Sequence, residues 1–312
     1  MTLQDLATEA AAHWGGRPTS LINNRENAVF RMELPGGGMA ALRLHRMGYQ
    51  SDAAIRSELW FCTALADKGL PVPRPLTTQN SAQLVQLSSG RMASAVEWMA
   101  GAPLGEAGVL LPGPVVEQVA RHHALGRLLA QIHDVTETLT LPPDFNRPAW
   151  DIDGLTGESP FWGRFWEHPA LTEPEAARLQ EARSYLRHAL QNHGRTAALM
   201  PVHADVLREN ILVDGGALSL IDFDDSGIGF ALYDLGTVLS QNLYEPARAE
   251  IAAALIAGYQ TLRSADREMV DIFTLARALA SVGWTMPRLR SDDPIMRSHI
   301  KRALLCADMV LQ

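Results

Sequence analysis

Val202-His203-Ala204-Asp205-Val206-Leu207-Arg208-Glu209-Asn210-Ile211-Leu212-Val213-Asp214-Gly215-Gly216-Ala217-Leu218-Ser219-Leu220-Ile221-Asp222-Phe223-Asp224-Asp225 is the stretch on which the reading of this chain turns. Two apolar runs, Ile211–Val213 and Leu218–Ile221, flank Asp214-Gly215-Gly216, a strong β-hairpin signal. Residues of an antiparallel pair mirror one another about the turn, so Asp222 returns to the neighbourhood of Arg208 and Asn210. A carboxylate and an amide oxygen are hard donors, suited to Mg2+ held together with substrate phosphates. Asp205, five residues before Asn210, can then accept a proton from an attacking hydroxyl. A lone Asp-rich hairpin is most often a solvated turn. The joint spacing His-x-Asp-x4-Asn, hairpin, Ile-Asp-Phe-Asp is far more specific than a single pair of carboxylates.

Around this stretch lies a chain of 312 residues with 47% hydrophobic and 20% charged residues. At roughly 150 residues per domain it holds about two domains and buries a sizeable core without disulfide or metal staples. Its two cysteines, Cys62 and Cys306, supply no disulfide framework, and a reducing, cytoplasmic location is the simpler expectation. The formal charge of -8 argues against general nucleic-acid binding. No secretory signal opens the sequence and no apolar run reaches the ~18 residues of a membrane span, so no membrane partner is expected. Lys68 and Lys301 are the only lysines, which leaves arginine to bind any anion within the first sixty residues.

Before residue 100 the pattern is of strands with an inserted helix. A short amphipathic helix spans 5–14, strands are expected at Thr19–Ile22, Ala28–Glu33, Met39–His45, Gln83–Leu87 and Ala93–Met99, and Asp52–Asp67 is helical. Thereafter helical spacing dominates: Pro114–Asp134, Glu173–His193, Ala247–Arg263, Arg267–Trp284 and Pro294–Gln312. The fold class is therefore α+β, a small β-rich lobe over 1–96, a connection at 97–104, and a larger, mostly helical lobe over 105–312 that carries the quoted stretch.

In Met39–His45, alternation sets Ala41, Arg43 and His45 on one face and Leu42 and Leu44 on the other. On the following helix Glu58 falls inside the apolar stripe of Ile55, Leu59, Cys62 and Ala66. An unpaired carboxylate on a buried face costs several kcal/mol on the usual scale, so Glu58 needs a partner, and Arg43 is the obvious one. Asn23-Asn24-Arg25-Glu26-Asn27, between the first two strands, reads either as an ordinary turn or as a loop whose amides cover phosphate, with Asn27 as its candidate residue. Gly36-Gly37-Gly38 lacks the helix and the Lys-Ser/Thr pair of a phosphate loop and reads as a hairpin turn. The ten histidines show no zinc spacing; His122-His123 reads as a partly solvated pair, and His203 as a brace of the Asp205 loop.

The stretch 203–225 resembles the kinase-like phosphotransferases, a group that includes aminoglycoside phosphotransferases, choline and ethanolamine kinases, and one type of homoserine kinase. The resemblance implies a protein-kinase-like two-lobe fold. It further implies ATP- and Mg2+-dependent transfer of the γ-phosphate to the hydroxyl of a small molecule, such as an amino sugar, an amino alcohol or a homoserine-like acceptor. It makes Asp205 catalytic and Asn210 and Asp222 the metal ligands. Arg43, paired with Glu58, becomes the anchor of the α- and β-phosphates, although the residue typical of the family there is lysine. Asp234-Leu235-Gly236 looks like the family's helix start that supports the catalytic loop.

Other positions follow from the same resemblance. Glu97 and Met99 stand where adenine would meet the backbone, or else simply end a strand. Gly227-Ile228-Gly229 falls in a connecting loop and serves turn geometry. Asp224 and Asp225 read equally as helpers of metal or substrate and as caps. Leu207 and Glu209 depart from the common pattern, Glu209 adding negative charge. Trp284 and Arg277 lie on a helix that in this family can border the acceptor. Two other readings share the site: a protein Ser/Thr kinase, and a nucleotide-binding regulator without turnover.

Overall fold

The computed structural model describes residues 1–25, 27–289 and 293–311. Glu26 of the candidate phosphate loop and Gln312 of the expected last helix lie outside the described residues. The chain divides into two compact units, the first made of Met1–Gly101, Leu139–Arg147 and Ser219–Asp224, the second of Ala102–Thr138, Pro148–Leu218 and Asp225–Gln312.

The first unit begins with helix α1 (Leu3–Ala12), whose end is closed by a capping box of Thr2 and Asp5. Strands β1 (Arg17–Asn24), β2 (Ala28–Glu33) and β3 (Met39–Leu44) follow, then helix α2 (Asp52–Asp67) and strands β4 (Leu84–Gln86) and β5 (Met92–Glu97). The strands form one antiparallel sheet in the order β1-β2-β3-β5-β4. Alternation sends Ala28, Phe30 and Met32 of β2, and Ala40, Leu42 and Leu44 of β3, into one apolar cluster with Ala7, Ala10, Ala11 and Trp14. Ile55 and Leu59 of α2 pack with Leu84 in a second cluster.

A contiguous first lobe ending at residue 96 does not describe this unit, because two short downstream segments belong to it. Arg147 donates to the carbonyls of Ala54 and Phe223, the Asn146 N–H donates to Ser57 Oγ, and the Leu220 N–H donates to Pro71 O. Phe61 meets Phe223 edge-on with ring centroids 5.7 Å apart. A buried arginine taking up backbone carbonyls leaves no periodic trace in a sequence.

In the second unit, a short strand β6 (Ala102–Pro103) leads to the long helix α3 (Val115–Glu137), strand β7 (Ala149–Trp150) and helices α4 (Ile152–Thr156) and α5 (Glu173–His193). Strand β8 (Leu199–Val202) enters the quoted stretch, whose hairpin consists of β9 (Ile211–Asp214) and β10 (Ala217–Leu220), with Gly215 at φ 59° in the turn. Strand β11 (Gly227–Phe230) is followed by helices α6 (Leu232–Gln241), α7 (Arg248–Tyr259), α8 (Arg267–Thr285) and α9 (Pro294–Val310).

Gly227-Ile228-Gly229 is thus a strand, not a loop: β11 runs antiparallel to β8 and parallel to β7. Its glycines serve close approach and not a turn, since a Cβ on Gly227 would stand 2.3 Å from Pro148 O and one on Gly229 3.0 Å from Trp150 Cβ. His122 is fully buried, with Nδ1 2.7 Å from Gln118 O, while His123 is exposed, so the pair is solvated at one residue only. Trp150 and Phe165 are completely buried, and Trp162 and Trp166 nearly so, within this unit.

Candidate active site

In the first unit, β3 and α2 position the ion pair foreseen from the sequence. The face of β3 opposite Leu42 and Leu44 carries Arg43, whose Nη1 donates to Glu58 Oε1 at 2.7 Å. Glu58 sits on the buried face of α2, and its side chain is only 5% exposed. Arg43 Nη2 also donates to Asp222 Oδ1 at 2.9 Å, and Nη1 lies 3.7 Å from Asp224 Oδ1. Burial alone would lower the Arg43 guanidinium, but the carboxylates of Glu58, Asp222 and Asp224 outweigh it and raise it above its ordinary value. Burial, and then the negative charge of Glu58, push Asp224 up to about 7 against the pull of Arg43.

One guanidinium faces three carboxyl groups, so the cluster holds more acidic groups than its single cation balances even before Asp224 ionises. Asp222 is about half exposed and adopts φ 65°, a left-handed backbone that a non-glycine residue rarely takes. Asn27 is held from both ends: its Nδ2 donates to Asp224 Oδ2 at 3.2 Å, and its Oδ1 accepts from the Arg46 N–H at 3.0 Å. That tie to Asp224 was not legible in the sequence. At the end of β5, the Glu97 N–H donates to Arg74 O, while Met99 lies just past the strand and is half-buried.

In the second unit, the loop after β8 carries Asp205 and Asn210. Asn210 Nδ2 donates both to Asp205 O and to Asp205 Oδ2, each at 2.9 Å. With both hydrogens of the amide nitrogen so directed, Oδ1 is the end left to ligate a cation, and the orientation of the amide follows from its bonds. Asp205 Oδ1 accepts from Arg277 Nη2 of α8 at 2.7 Å. Arg277 is buried, and its guanidinium lies 4.7 Å from the centre of the Trp162 ring. Neither the ion pair nor the ring contact was read from the sequence, although a lone arginine inside the apolar run Phe273–Val282 was a signal.

The loop is braced from beneath. Asp234, fully buried near the start of α6, accepts the N–H of His203 at 3.0 Å and that of Ala204 at 2.7 Å. Its Oδ2 also lies 3.0 Å from His133 Nε2, and His133 Nδ1 lies 2.9 Å from Tyr259 Oη. Ala204 is held at φ 63°, so the backbone turns sharply just before Asp205. His203 Nδ1 accepts from the Asp205 N–H at 3.3 Å, in keeping with a bracing role. Glu209 is occupied by the Ala107 N–H at 2.5 Å and by Gln241 Nε2 at 3.0 Å. His133 was missed by sequence reasoning, though a histidine on the buried stripe of a long helix needs a polar partner.

Among the described residues, no three His, Cys, Asp or Glu side chains gather into a metal-holding group. In the first unit the half-exposed carboxylate of Asp222, and in the second the amide oxygen of Asn210, are each a hard donor of the kind Mg2+ takes beside phosphate oxygens and water.

Comparison with known proteins places the chain. The profile of the phosphotransferase enzyme family matches residues 19–271. The homoserine kinase of Pseudomonas aeruginosa is 31% identical over 260 residues, covering 78% of this chain and 71% of that protein. A microcompartment-associated aminopropanol kinase of known structure superposes with a TM-score of 0.80 at 26% identity, over 97% of this chain and 94% of the other. An amicoumacin kinase solved in complex with AMP-PNP, Ca2+ and Ami gives a TM-score of 0.79 over 99% and 94% of the two chains, and at 16% identity it speaks for the kinase-like fold alone. With its α+β fold, the His203-x-Asp205-x4-Asn210 loop and a match across most of its length, the chain belongs to the phosphotransferase enzyme family.

Proposed function

We propose that this protein transfers the γ-phosphate of ATP, with Mg2+, to the hydroxyl group of a small molecule. The observation that carries the reading is Asp205, fixed by Asn210 on one oxygen and by Arg277 on the other, at a sharp backbone turn braced by Asp234. A carboxylate so constrained is suited to orienting an acceptor hydroxyl in line with a phosphoryl group. Held by Arg277 on Oδ1 and by Asn210 on Oδ2, it directs the hydroxyl and takes its proton as the new P–O bond forms and the bond to the ADP oxygen breaks.

Arg43, oriented by Glu58, is assigned to the α- and β-phosphates. A guanidinium binds phosphate bidentately where a lysine would act as a point charge. Asn210 Oδ1 and Asp222 are assigned to Mg2+, which would neutralise phosphate charge when bound. The Glu97–Met99 backbone is assigned to adenine, and Asn27 to the edge of the phosphate loop. The comparison with homoserine and aminopropanol kinases supports a small hydroxyl-bearing acceptor.

Asp205→Asn and Asp222→Asn test the assignment. Each is expected to lower ATP turnover by about 10²–10⁴-fold, with circular dichroism and melting temperature close to those of the parent. Parent-like turnover in either variant refutes it.

A further inference from the structure

Between Asp205 and Asn210 stand two charged residues, Arg208 and Glu209, that the phosphotransfer reading leaves without a role. They lie in the single tight turn Arg208–Asn210, where the Asn210 N–H donates back to Leu207 O at 2.9 Å. The Arg208 side chain is only 4% exposed. Its Nη1 donates to Val109 O at 2.7 Å, and its Nη2 donates to Asn242 Oδ1 at 2.6 Å and to Glu245 Oε1 at 2.5 Å. Its backbone N–H donates to Gln241 Oε1 at 2.7 Å. Glu209 is directed the same way, one oxygen accepting the Ala107 N–H and the other Gln241 Nε2.

The strap of chain that these two residues hold has no hydrogen-bond ladder of its own. Residues 104–114, between β6 and α3, contain neither helix nor strand. The Leu104 N–H donates to Ile211 O at 2.7 Å, one residue after Asn210. The Leu111 N–H donates at 3.0 Å to the same Glu245 oxygen that takes Arg208, and Gln118 Nε2 donates to the carbonyls of Leu111 and Gly113, each at 3.0 Å. Gly105 lets the strap pass close to the arginine, since a Cβ there would stand 3.3 Å from Arg208 Cδ. Leu104 and Leu111 are buried, while Val109 and Leu110 between them are exposed.

A buried ion pair adds little stability over apolar packing, because desolvation of both charges offsets their attraction. Its contribution here is geometry. The planar guanidinium fork fixes three acceptors, on the strap, at the end of α6 and just beyond it, in one arrangement.

We infer that Arg208 is a positioning residue: anchored on Glu245, Asn242 and the strap 104–114, it holds Asn210 in register with Asp205, while Glu209 fastens the strap at Ala107. Asp234 fixes the start of the loop and Arg208 its end. The inference rests on the phosphotransfer reading and deepens it by giving a task to a residue that acts through its neighbours.

Arg208→Lys tests it, because lysine keeps a cation beside Glu245 but lacks the fork that reaches Asn242 and Val109 together. With ATP and whichever of L-homoserine or 1-amino-2-propanol the parent phosphorylates, kcat is expected to fall by about 10–100-fold, the scale on which a small misplacement of a reacting group acts. KM for ATP and for that acceptor should stay within about threefold. Arg183→Gln is the control for a merely structural effect, since Arg183 is another buried arginine of the same unit, bonded to Thr156 O and Glu158. It is expected to lower the melting temperature and leave kcat unchanged. A parent-like kcat in Arg208→Lys, or an equal loss of kcat in Arg183→Gln at equal melting temperature, overturns the inference. Amide hydrogen exchange reads the anchor without turnover. Arg208→Lys should speed exchange at Ala107, Leu111 and Asn210 by about tenfold or more and leave Ala204, held by Asp234, within about threefold. Unchanged exchange at the first three also overturns the inference. That local gain in exchange, in a protein whose parent forms no ADP with either compound, would keep the anchor and refute the kinase reading.

Discussion

Replacing Asp234 by asparagine changes one oxygen for an amide nitrogen at the foot of the Asp205 loop. The carboxylate is fully buried and takes three donors: the N–H groups of His203 and Ala204, and His133 Nε2. The best orientation of the new amide keeps its oxygen on Ala204, where the bond is 2.7 Å. Its nitrogen then faces His133 and the His203 N–H. His133 can adapt, because a change of tautomer turns Nε2 into an acceptor and lets Nδ1 donate to Tyr259 Oη. The His203 N–H cannot, and is left buried against another donor. An orphaned buried donor costs about 1–3 kcal/mol, and loss of the charge on the surviving bonds adds roughly 1 kcal/mol more. Asp234→Asn should therefore lower the free energy of unfolding by about 2–4 kcal/mol, read as a shift in the urea midpoint at constant m-value. A change below ~0.5 kcal/mol would refute the brace, as would a His133→Gln/Asp234→Asn double variant whose destabilisation is the plain sum of the two single ones, with no coupling between them.

Other outcomes follow from the same structure. His299 is held near 3, below its ordinary 6.5, first by burial and then by Arg302 and Arg277. Across that window the unfolded chain binds the proton that the folded chain does not, so stability falls as pH drops below 6.5, by at most ~1.4 kcal/mol per pH unit. His299→Gln should flatten that slope in chemical denaturation between pH 6.5 and 5, and an unchanged slope would contradict the assignment. Gly126 lets α3 approach α7 so closely that a Cβ would stand 2.0 Å from Leu255 O. Gly126→Ala should thus cost about 2–4 kcal/mol, whereas a neutral or stabilising effect would mean that the helices separate without penalty. Arg43→Gln removes the cation from a buried carboxylate and from the proposed phosphate contact. It should raise the KM for ATP by more than tenfold while the KM for the acceptor stays within a factor of about two, and the reverse pattern would place Arg43 elsewhere in the reaction.

What the sequence disclosed was what periodicity and spacing encode. The Arg43–Glu58 pair was legible because a carboxylate cannot stand alone in an apolar helix stripe, and the ion pair is there at 2.7 Å. The helix expected over Asp52–Asp67 from its apolar spacing has those bounds in the structure, where the Ser51 side chain caps its start. Asp205, Asn210 and Asp222 were found by joint spacing, and their roles remain proposals. The strand at Gly227–Phe230 was missed because glycines required for close packing against Pro148 and Trp150 look like turn residues when only the sequence is seen. Contacts between residues far apart in the chain were also out of reach: Arg147 with Phe223, His133 with Asp234, Arg277 with Asp205. Each was marked only by a polar residue in an apolar setting, which says that a partner exists and not which one.

The central claim is tested most directly by following γ-phosphate from ATP by phosphorus NMR in the presence of Mg2+ and hydroxyl-bearing acceptors. The account predicts a new phosphate monoester resonance that grows in step with ADP, requires the divalent cation, and vanishes in Asp205→Asn. ADP that accumulates only with inorganic phosphate, or a monoester formed equally fast by Asp205→Asn, would contradict it.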